Sequence, residues 1–238
     1  MIAIDTVDMG LGVIAGVTRV DTSVLPWPGA SFGITPSADA GHVERSYEML
    51  AETLGVQRNS IVTAQQVHGK TIVDVTARGS FAADALVTAT PGLVVGVKLA
   101  DCCGVLLFDR THRVVAAVHS GWRGTAQNIV AATIEHMQGA YGTNPHDLRA
   151  HMSACASGSV YEVGQDVYDV LAAYCKPLAG GKWTFDNHMA IKRQLLDAGL
   201  QEENISVDTG CTMSDESYHS FRRDKERSGR MLAFIGFQ

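Results

Sequence analysis

Three closely spaced apolar runs constrain the fold of this chain more than any other feature. They cover residues 93–99, 104–109 and 114–119 and are rich in valine and leucine. Runs of this kind are typical of buried strands. Their ends carry an aspartate, a pair of cysteines and a histidine, and strand ends are where a rigid sheet can hold reactive groups. The sequence therefore predicts a β-core with chemically active side chains at its edge.

The remaining patterns mix strand hairpins with single helices. Apolar residues at helical spacing predict helices over residues 41–54, 125–137, 163–174 and 186–199. Further strands are predicted over residues 13–20, 61–64, 71–75, 83–88, 148–153, 205–209 and 231–237. Because hairpins and helices do not alternate strictly, we predict an α+β fold with a mixed β-sheet core flanked by helices. No linker-like stretch divides the chain, so residues 1–238 are expected to form a single domain.

Polar caps and glycines mark the ends of the predicted helices. Thr125 and Asp186 are predicted N-caps. Gly55, Gly139 and Gly199 are predicted to lie just beyond the C-terminal ends of their helices.

The balance of charge excludes some classes of partner. The formal net charge of −6 provides no basic field for nucleic acid or for an anionic membrane. The first residues carry neither a basic n-region nor an apolar h-region, and Lys98 and Asp109 interrupt the longest apolar runs. We therefore expect a cytoplasmic protein without nucleic-acid or membrane partners. Five cysteines without regular spacing favour reduced thiols or metal ligation over a disulfide framework.

His68, Cys102 and His119 are the strongest candidates for a reactive site. Two imidazoles and one thiolate are a natural zinc set, and three protein ligands leave a fourth position for water. Their separations in sequence are too long for a local zinc-finger pattern. Two other interpretations stay open on the residues alone: a buried cysteine with two hydrogen-bonded histidines, or a thiolate nucleophile with His119 as its base.

The cysteine pair and its neighbouring aspartate leave further alternatives. Cys102 and Cys103 are adjacent, so on a strand they point to opposite faces and one of them is expected in the core. Asp101 either orients a histidine or moves a proton, or else it bonds to nearby backbone at the strand end.

Basic residues occur in two places that suit an anion. Residues 121–125 lie between a strand and a helix, where Arg123 and free backbone N–H groups could hold an anion. The other cluster, beside a glycine, suggests phosphate or carboxylate recognition, with solvated surface charge as the alternative. Its members are Arg222, Arg223 and Arg230.

Four motifs together resemble the laccase-domain family, which was formerly labelled multicopper polyphenol oxidase. They follow the family's order and span most of the chain. They are Gln66-Val67-His68-Gly69, Ala100-Asp101-Cys102, residues 117–124 (Ala-Val-His-Ser-Gly-Trp-Arg-Gly), and Phe221-Arg222-Arg223-Asp224 with Gly229-Arg230. The family is associated with purine nucleoside phosphorylase activity and, in some bacteria, with peptidoglycan editing. Its fold is similar to that of cytotoxic-necrotizing-factor-like cysteine hydrolases.

The resemblance assigns roles to the candidate residues. It implies that His68, Cys102 and His119 bind zinc, which selects Cys102 over Cys103. It also implies phosphorolysis of adenosine, inosine, guanosine or methylthioadenosine, with adenosine deamination as a further activity. Apart from the roles that the resemblance implies, the residues themselves lead us to expect Asp101, Cys102 and His119 as catalytic residues and Arg123, Arg222, Arg223 and Arg230 as phosphate-binding residues. The expected partners are therefore a small nucleoside and phosphate.

Two alternative functions and one alternative metal are kept. The first is a hydrolase that edits a peptidoglycan precursor, with Cys102 as nucleophile or a zinc-bound water as attacker. The second is a metal- or nucleotide-binding module without catalysis. A true multicopper oxidase is excluded because such centres use closely spaced histidine pairs, and no two histidines here stand two residues apart. Copper could still replace zinc at the same three ligands.

The chain departs from the family pattern in three places. Ser31-Phe32-Gly33 replaces the usual Asn-Leu-Gly, and Ser46-Tyr47 replaces the usual Asn-Arg. Residues 156–160 lack the usual Ile-Gly-Pro before Tyr161-Glu162-Val163. These departures bear on the substrate more than on the metal site.

Overall fold

Two mixed β-sheets stacked face to face form the centre of the protein. The structure, a computed structural model, describes residues 1–10, 12–79 and 81–237. In chain order the strands are β1 (Ile4–Thr6), β2 (Val13–Thr18), β3 (Ile61–Gln65), β4 (Ile72–Asp74), β5 (Phe81–Ala82), β6 (Ala85–Thr88), β7 (Val94–Leu99), β8 (Cys103–Asp109), β9 (Val114–Ser120), β10 (Leu148–Met152), β11 (Glu162–Val163), β12 (Cys175–Leu178), β13 (Lys182–Phe185), β14 (Ile205–Val207) and β15 (Met231–Phe237). The α-helices are α1 (Ala40–Leu54), α2 (Trp122–Ala126), α3 (Ile129–Tyr141), α4 (Gln165–Leu171), α5 (Asn187–Asp197) and α6 (Phe221–Asp224).

Each of the two central sheets combines parallel and antiparallel pairs. The first has the order β1-β2-β15-β7-β3-β5, in which β3 runs parallel to β7 and β5. The second has the order β14-β10-β8-β9-β6-β4, with parallel pairs at both edges. A smaller sheet has the order β11-β13-β12. The predicted α+β fold with a mixed-sheet core and flanking helices is confirmed.

The apolar runs lack polar alternation because both faces of the central strands are covered. On β8, Leu106 and Phe108 pack into the core between the two sheets. Val105 and Leu107 point the other way, into a core shared with α3 and α5. Strands buried on both faces are expected to read as continuous apolar runs.

Helix α1 covers the outer face of the first sheet, as its spacing predicts. Tyr47 and Leu50 pack against that sheet. The Asp39 side chain accepts a hydrogen bond from the backbone N–H of His42, and Gly55 ends the helix with φ of 68°.

One predicted helix is wrong at both ends. The pattern over residues 125–137 predicts one helix, but the chain forms α2 and then α3, with Asn128 between them at φ of 57°. Thr125 does not begin α3, because its hydroxyl contacts Asn187 and Ser120 instead. Gly139 lies inside α3, and Gly142 ends that helix at φ of 72°.

The region after Val163 contains less helix and more strand than predicted. Helix α4 ends at Leu171, a 3₁₀ turn spans residues 172–174, and the hairpin β12–β13 follows. Pro177 lies within β12, which is an edge strand of the small sheet, so its missing N–H leaves no ladder bond unmade. Helix α5 starts after Asp186, whose side chain accepts from the Met189 N–H, and this N-cap prediction is confirmed.

No helix among residues 1–10, 12–79 and 81–237 has the length and apolar character required of a membrane span.

The two central sheets approach each other closely at Gly104. A Cβ at this position would lie 2.7 Å from the Ala233 Cβ and 2.9 Å from the Leu99 Cδ1. We therefore expect Gly104→Val to lower the free energy of unfolding by about 1–3 kcal/mol through overpacking, measured by urea denaturation. The control is Gly139→Ala, which enters open space on α3 and is expected to stabilise by up to about 1 kcal/mol. Equal stability of the valine variant and the wild type would contradict the close packing.

Candidate functional site

His68, Cys102 and His119 meet where the chain passes between the two central sheets. His68 follows β3 of the first sheet, Cys102 lies in the link from β7 to β8, and His119 is on β9 of the second sheet. Their ligand atoms all lie within 4.8 Å of one another. The two imidazole rings stand edge to face, with 4.9 Å between their centroids. The structure thus brings together the three residues that the sequence selects.

Asp84 orients His119 from behind. This aspartate is fully buried, and its Oδ1 lies 2.9 Å from the His119 Nδ1. Burial by itself would raise the pKa of Asp84, but the hydrogen bonds from His119 and from nearby backbone N–H groups lower it below its usual value. Because a carboxylate accepts only, the neutral form of the His119 ring has its proton on Nδ1, which leaves Nε2 as the atom that could bind a metal.

The same carboxylate shapes the turn that carries His68. The backbone N–H groups of His68 and Gly69 donate to Asp84 at 3.0 and 2.7 Å. His68 has φ of 59°, which is uncommon for a residue other than glycine. Asp84 therefore positions two members of the group. It is absent from the sequence-predicted site, although an acidic residue at the start of the apolar run 85–88 is the signal that could have identified it.

The Cys102 thiol is acidified by its two histidine neighbours. Burial would raise the pKa of Cys102, but His119 and His68 outweigh it and lower the pKa to about 6. Burial would lower the pKa of His119, but the Cys102 thiolate and Asp84 raise it to about 9. Without a metal, the site therefore contains a thiolate beside an imidazolium. Gly121 leaves room for the sulfur, since a Cβ there would lie 2.8 Å from the Cys102 Sγ.

The three donors suit a metal ion. A thiolate and two imidazoles are ligands for borderline divalent cations, and three protein ligands leave a position open for substrate. The Asp84 carboxylate behind His119 is the outer partner that metal-bound histidines usually have. The residues present therefore fit a bound metal.

The group lies in a cleft of about 620 Å³ that is rich in positive charge. Its cationic lining residues are Lys98, Arg123, Arg222 and Arg230. Its aromatic lining residues are Trp122, Tyr161 and Phe221. Guanidinium groups lie over these rings, with Arg123 4.2 Å from the Trp122 centroid and Arg222 5.0 Å from the Tyr161 centroid. In a chain of net charge −6, this local excess of cations favours an anionic ligand.

Asp101 connects the Cys102 loop to α6. Its Oδ1 accepts from the Thr212 hydroxyl at 2.8 Å, and its Oδ2 accepts from the Arg222 backbone N–H at 2.6 Å. Its φ of 81° is a further sign of a constrained loop. Since both oxygens are occupied, the geometry favours positioning of Arg222 over proton transfer.

The predicted arginines separate into two sets. Arg123, Arg222 and Arg230 line the cleft. Arg223 is not among the described lining residues, because its guanidinium pairs with Asp224 and donates to the carbonyls of Thr212 and Tyr218. This placement does not fit a phosphate contact from Arg223. The Arg223 side chain instead stabilises the loop before α6.

Lys98 is a cationic lining residue that sequence reasoning missed. The Gln66 side chain exchanges two hydrogen bonds with the Lys98 backbone, at 2.7 and 2.9 Å, and so attaches the His68 turn to β7. Burial and then the nearby Arg230 lower the pKa of Lys98. Within the described part of the chain, no carboxylate forms an ion pair with its ammonium group. A lysine inside the apolar run 93–99 is the signal that could have revealed it.

A buried polar network holds the loop after His119. The Thr125 hydroxyl lies 2.8 Å from the Ser120 hydroxyl and donates to the Asn187 Oδ1 at 2.7 Å. The Asn187 side-chain amide donates a hydrogen bond of 2.8 Å to the Ser120 carbonyl. Helix α5 thereby fixes the segment that presents Trp122 and Arg123 to the cleft.

Comparisons with known proteins agree with this architecture. The chain is 35% identical over 208 residues to a purine nucleoside phosphorylase of Deinococcus radiodurans, covering 84% of this chain and 79% of that protein. It is 32% identical over 228 residues to the purine nucleoside phosphorylase YfiH of Shigella flexneri, covering 92% and 90%. The crystal structure of YlmD from Geobacillus stearothermophilus superposes with a TM-score of 0.91 at 27% identity, covering all of both chains.

The family model described as multi-copper polyphenol oxidoreductase laccase matches residues 16–238. The match includes all four motifs and each residue of the His68, Cys102 and His119 group. The chain belongs to the multi-copper polyphenol oxidoreductase laccase family.

Proposed function

We propose that the protein is a zinc-dependent purine nucleoside phosphorylase. The observation that carries the proposal is a metal-type ligand group in the same cleft as four cationic side chains. Cationic side chains can hold an anionic nucleophile, and a metal ion beside them would add a Lewis acid to the same cleft. The cleft volume lies within the range of about 300–1,000 Å³ that is usual for small-molecule sites. The relatives from D. radiodurans and S. flexneri are both named purine nucleoside phosphorylases, which supports the same activity.

The proposed substrates are inorganic phosphate and adenosine, inosine, guanosine or methylthioadenosine. A phosphate oxygen bonds to the anomeric carbon, the bond from that carbon to the purine nitrogen breaks, and the electron pair leaves with the purine. Aromatic lining residues such as Trp122 offer a face for the purine ring. Because phosphate and nucleosides are metabolites of the cytoplasm, we propose that location for the reaction.

His68, Cys102 and His119 are the residues that would hold zinc, with copper as an alternative metal. Zinc bound there supplies a Lewis acid to the cleft. The Asp84 carboxylate fixes the ring of His119, and the Gly121 backbone leaves the Cys102 thiolate unobstructed.

The direct test is incubation of zinc-loaded protein with inosine and phosphate. We expect hypoxanthine and ribose 1-phosphate in equal amounts. Absence of both products, while a verified phosphorylase turns over in parallel, would overturn the proposal. With adenosine as substrate, adenine reports phosphorolysis and inosine reports the proposed accompanying deamination. Binding of nucleoside without turnover would identify a non-catalytic module.

The phosphate end of the cleft is proposed to lie at Lys98 and Arg230. Both are half-buried cations, and a Cβ on Gly33 would lie 2.8 Å from the Arg230 Cγ and 3.6 Å from the Lys98 Cδ, so their stems converge beneath this glycine. We expect Lys98→Met to raise the KM for phosphate about 10- to 100-fold, the effect of removing one hydrogen bond to a charged group. The KM for inosine should change little.

Steady-state kinetics with each substrate varied in turn checks this expectation. Lys176→Met, at an exposed lysine on β12 outside the described lining of the cleft, is the matched control. An unchanged KM for phosphate in Lys98→Met, or equal changes in both KM values, would contradict the assignment.

A second candidate function is favoured by the acidified thiol. We propose, as the alternative, a hydrolase of a peptidoglycan precursor in which Cys102 is the nucleophile and His119 its partner. The lowered pKa of Cys102, about 6, supports this reading because the thiolate predominates at neutral pH. Metal-free protein that hydrolyses a muramyl peptide and loses the activity on alkylation of Cys102 would support it. Hydrolysis that depends on added metal would argue against a nucleophilic role.

A further inference from the structure

A second group of metal-type ligands lies beside the first. Cys103, Cys155 and His188 offer two sulfurs and a ring nitrogen that all lie within 4.8 Å of one another. They come from the start of β8, the segment after β10, and the first turn of α5. Cys103 and Cys155 are 0% and 1% exposed, and His188 is half-buried.

This cluster of metal-type ligands lies against an apolar core. Cys103 and Cys155 belong to an apolar core that β8 otherwise fills with Val105 and Leu107. The half-buried imidazole of His188 lies beside this core and is expected to have a defined partner. In sequence, these three residues are too far apart to suggest a common site, and His188 has the pattern of an ordinary surface or structural histidine.

The backbone contacts of the two thiols are weak hydrogen bonds. The Cys103 Sγ lies 3.5 Å from the Ser153 carbonyl oxygen, and the Cys155 Sγ lies 3.5 Å from the Ala156 carbonyl oxygen. Thiols are weak donors, so these bonds explain the arrangement poorly. The His188 ring is better held, since its Nε2 lies 2.8 Å from the Ser153 carbonyl oxygen. Orientation of an imidazole by a backbone carbonyl is typical of metal-binding histidines.

We propose that Cys103, Cys155 and His188 form a second metal site, for zinc or another thiophilic d¹⁰ cation. Two thiolates and one imidazole are a preferred donor set for such ions. Each thiol releases its proton on binding, and two thiolates with one divalent cation form a neutral unit. Neutrality reduces the cost of burying the charges in this core.

The position of the second site implies a structural role. Cys103 is covalently next to Cys102 of the first site. His188 is next to Asn187, which holds the Ser120 carbonyl beside His119. A metal bound to this cluster connects the two segments that carry Cys102 and His119. The second site therefore stabilises the geometry of the first without contact with substrate.

Metal stoichiometry tests the proposal independently of catalysis. Protein purified in reductant is stripped with a chelator, reconstituted with zinc alone, desalted and analysed for zinc per chain. We expect two equivalents in the wild type, one in His68→Ala, one in Cys155→Ala and none in the double variant. Cobalt alone as a spectroscopic probe should show thiolate-to-metal charge-transfer bands in His68→Ala that disappear in the double variant.

The controls separate this site from the first. Cys175→Ser changes a thiol outside both clusters and should keep two equivalents. Circular dichroism and the zinc retained at the first site report whether Cys155→Ala is folded. If the first site fails to bind zinc, the wild type should bind one equivalent that Cys155→Ala loses and His68→Ala keeps. Zinc content unchanged in folded Cys155→Ala, or a Cys103–Cys155 disulfide found by mass spectrometry in place of metal, would overturn the proposal.

Discussion

Cys102→Ser is expected to lose the metal of the first site and to lower kcat/KM by more than about 100-fold. Loss of a residue that hydrogen-bonds to a metal ligand lowers activity by up to about 100-fold. Removal of the ligand itself should lower it further. The serine hydroxyl does not ionise at neutral pH, so it cannot replace the thiolate that His119 and His68 stabilise. The expected result is loss of one zinc equivalent, with an unchanged far-ultraviolet circular dichroism spectrum.

Zinc analysis and phosphorolysis assays on the same sample distinguish the roles of the thiol. Cys175→Ser is again the matched control, because this half-buried cysteine on β12 lies outside both clusters. Retained zinc with lost activity would identify Cys102 as a nucleophile. Retained zinc together with retained activity would show that Cys102 is neither a metal ligand nor a nucleophile.

Asp84→Asn should reduce zinc affinity or activity by about 10- to 100-fold, as expected when an outer carboxylate is lost from a metal-bound histidine. The carboxylate accepts from His119 and from the backbone of His68 and Gly69. An amide has a single acceptor oxygen and two donors, so it cannot serve all these partners. The backbone turn at His68 and the ring of His119 should therefore no longer be held in one orientation.

Asp109→Asn provides a close structural control for that variant. Asp109 is also fully buried, contacts the His112 Nδ1 at 2.9 Å and accepts from the backbone N–H groups of Thr111 and His112. It is the last residue of β8 and does not belong to either ligand group. We expect it to affect unfolding free energy but not zinc affinity, as measured by competition with a chelating dye. Equal zinc affinities for Asp84→Asn and the wild type would contradict the orienting role.

Two departures from the family pattern are in contact with each other. The Ser31 backbone N–H donates to the Ser46 hydroxyl at 3.0 Å, and the Tyr47 hydroxyl donates to the Phe32 carbonyl at 3.1 Å. The Ser31 hydroxyl in turn accepts from the Arg230 backbone N–H. The substitutions on α1 and near the N-terminus therefore form one patch behind the proposed phosphate end of the cleft.

The sequence alone determined the strands at the centre of the fold and pointed to His68, Cys102 and His119 as candidate ligands, whereas the family resemblance selected Cys102 over Cys103. Apolar runs report burial directly, and β8 and β9 are covered on both faces. His68, Cys102 and His119 stand at or near the ends of such runs, where polar chemistry is conspicuous. Local signals of the same kind identified α1 and the Asp186 cap of α5.

The tertiary structure alone decided the partners of those residues. Asp84 and Lys98 reach the site because strands of both sheets end there. The side-chain pattern of one strand does not show which strand lies next to it. Arg223 lies outside the described lining of the cleft because its guanidinium forms an ion pair with Asp224 and donates to the carbonyls of Thr212 and Tyr218. Cys103 turned out to have His188 beside it for the same reason, since long-range packing brings α5 against β8. A chain encodes burial locally, whereas the convergence of side chains depends on how its sheets and helices are stacked.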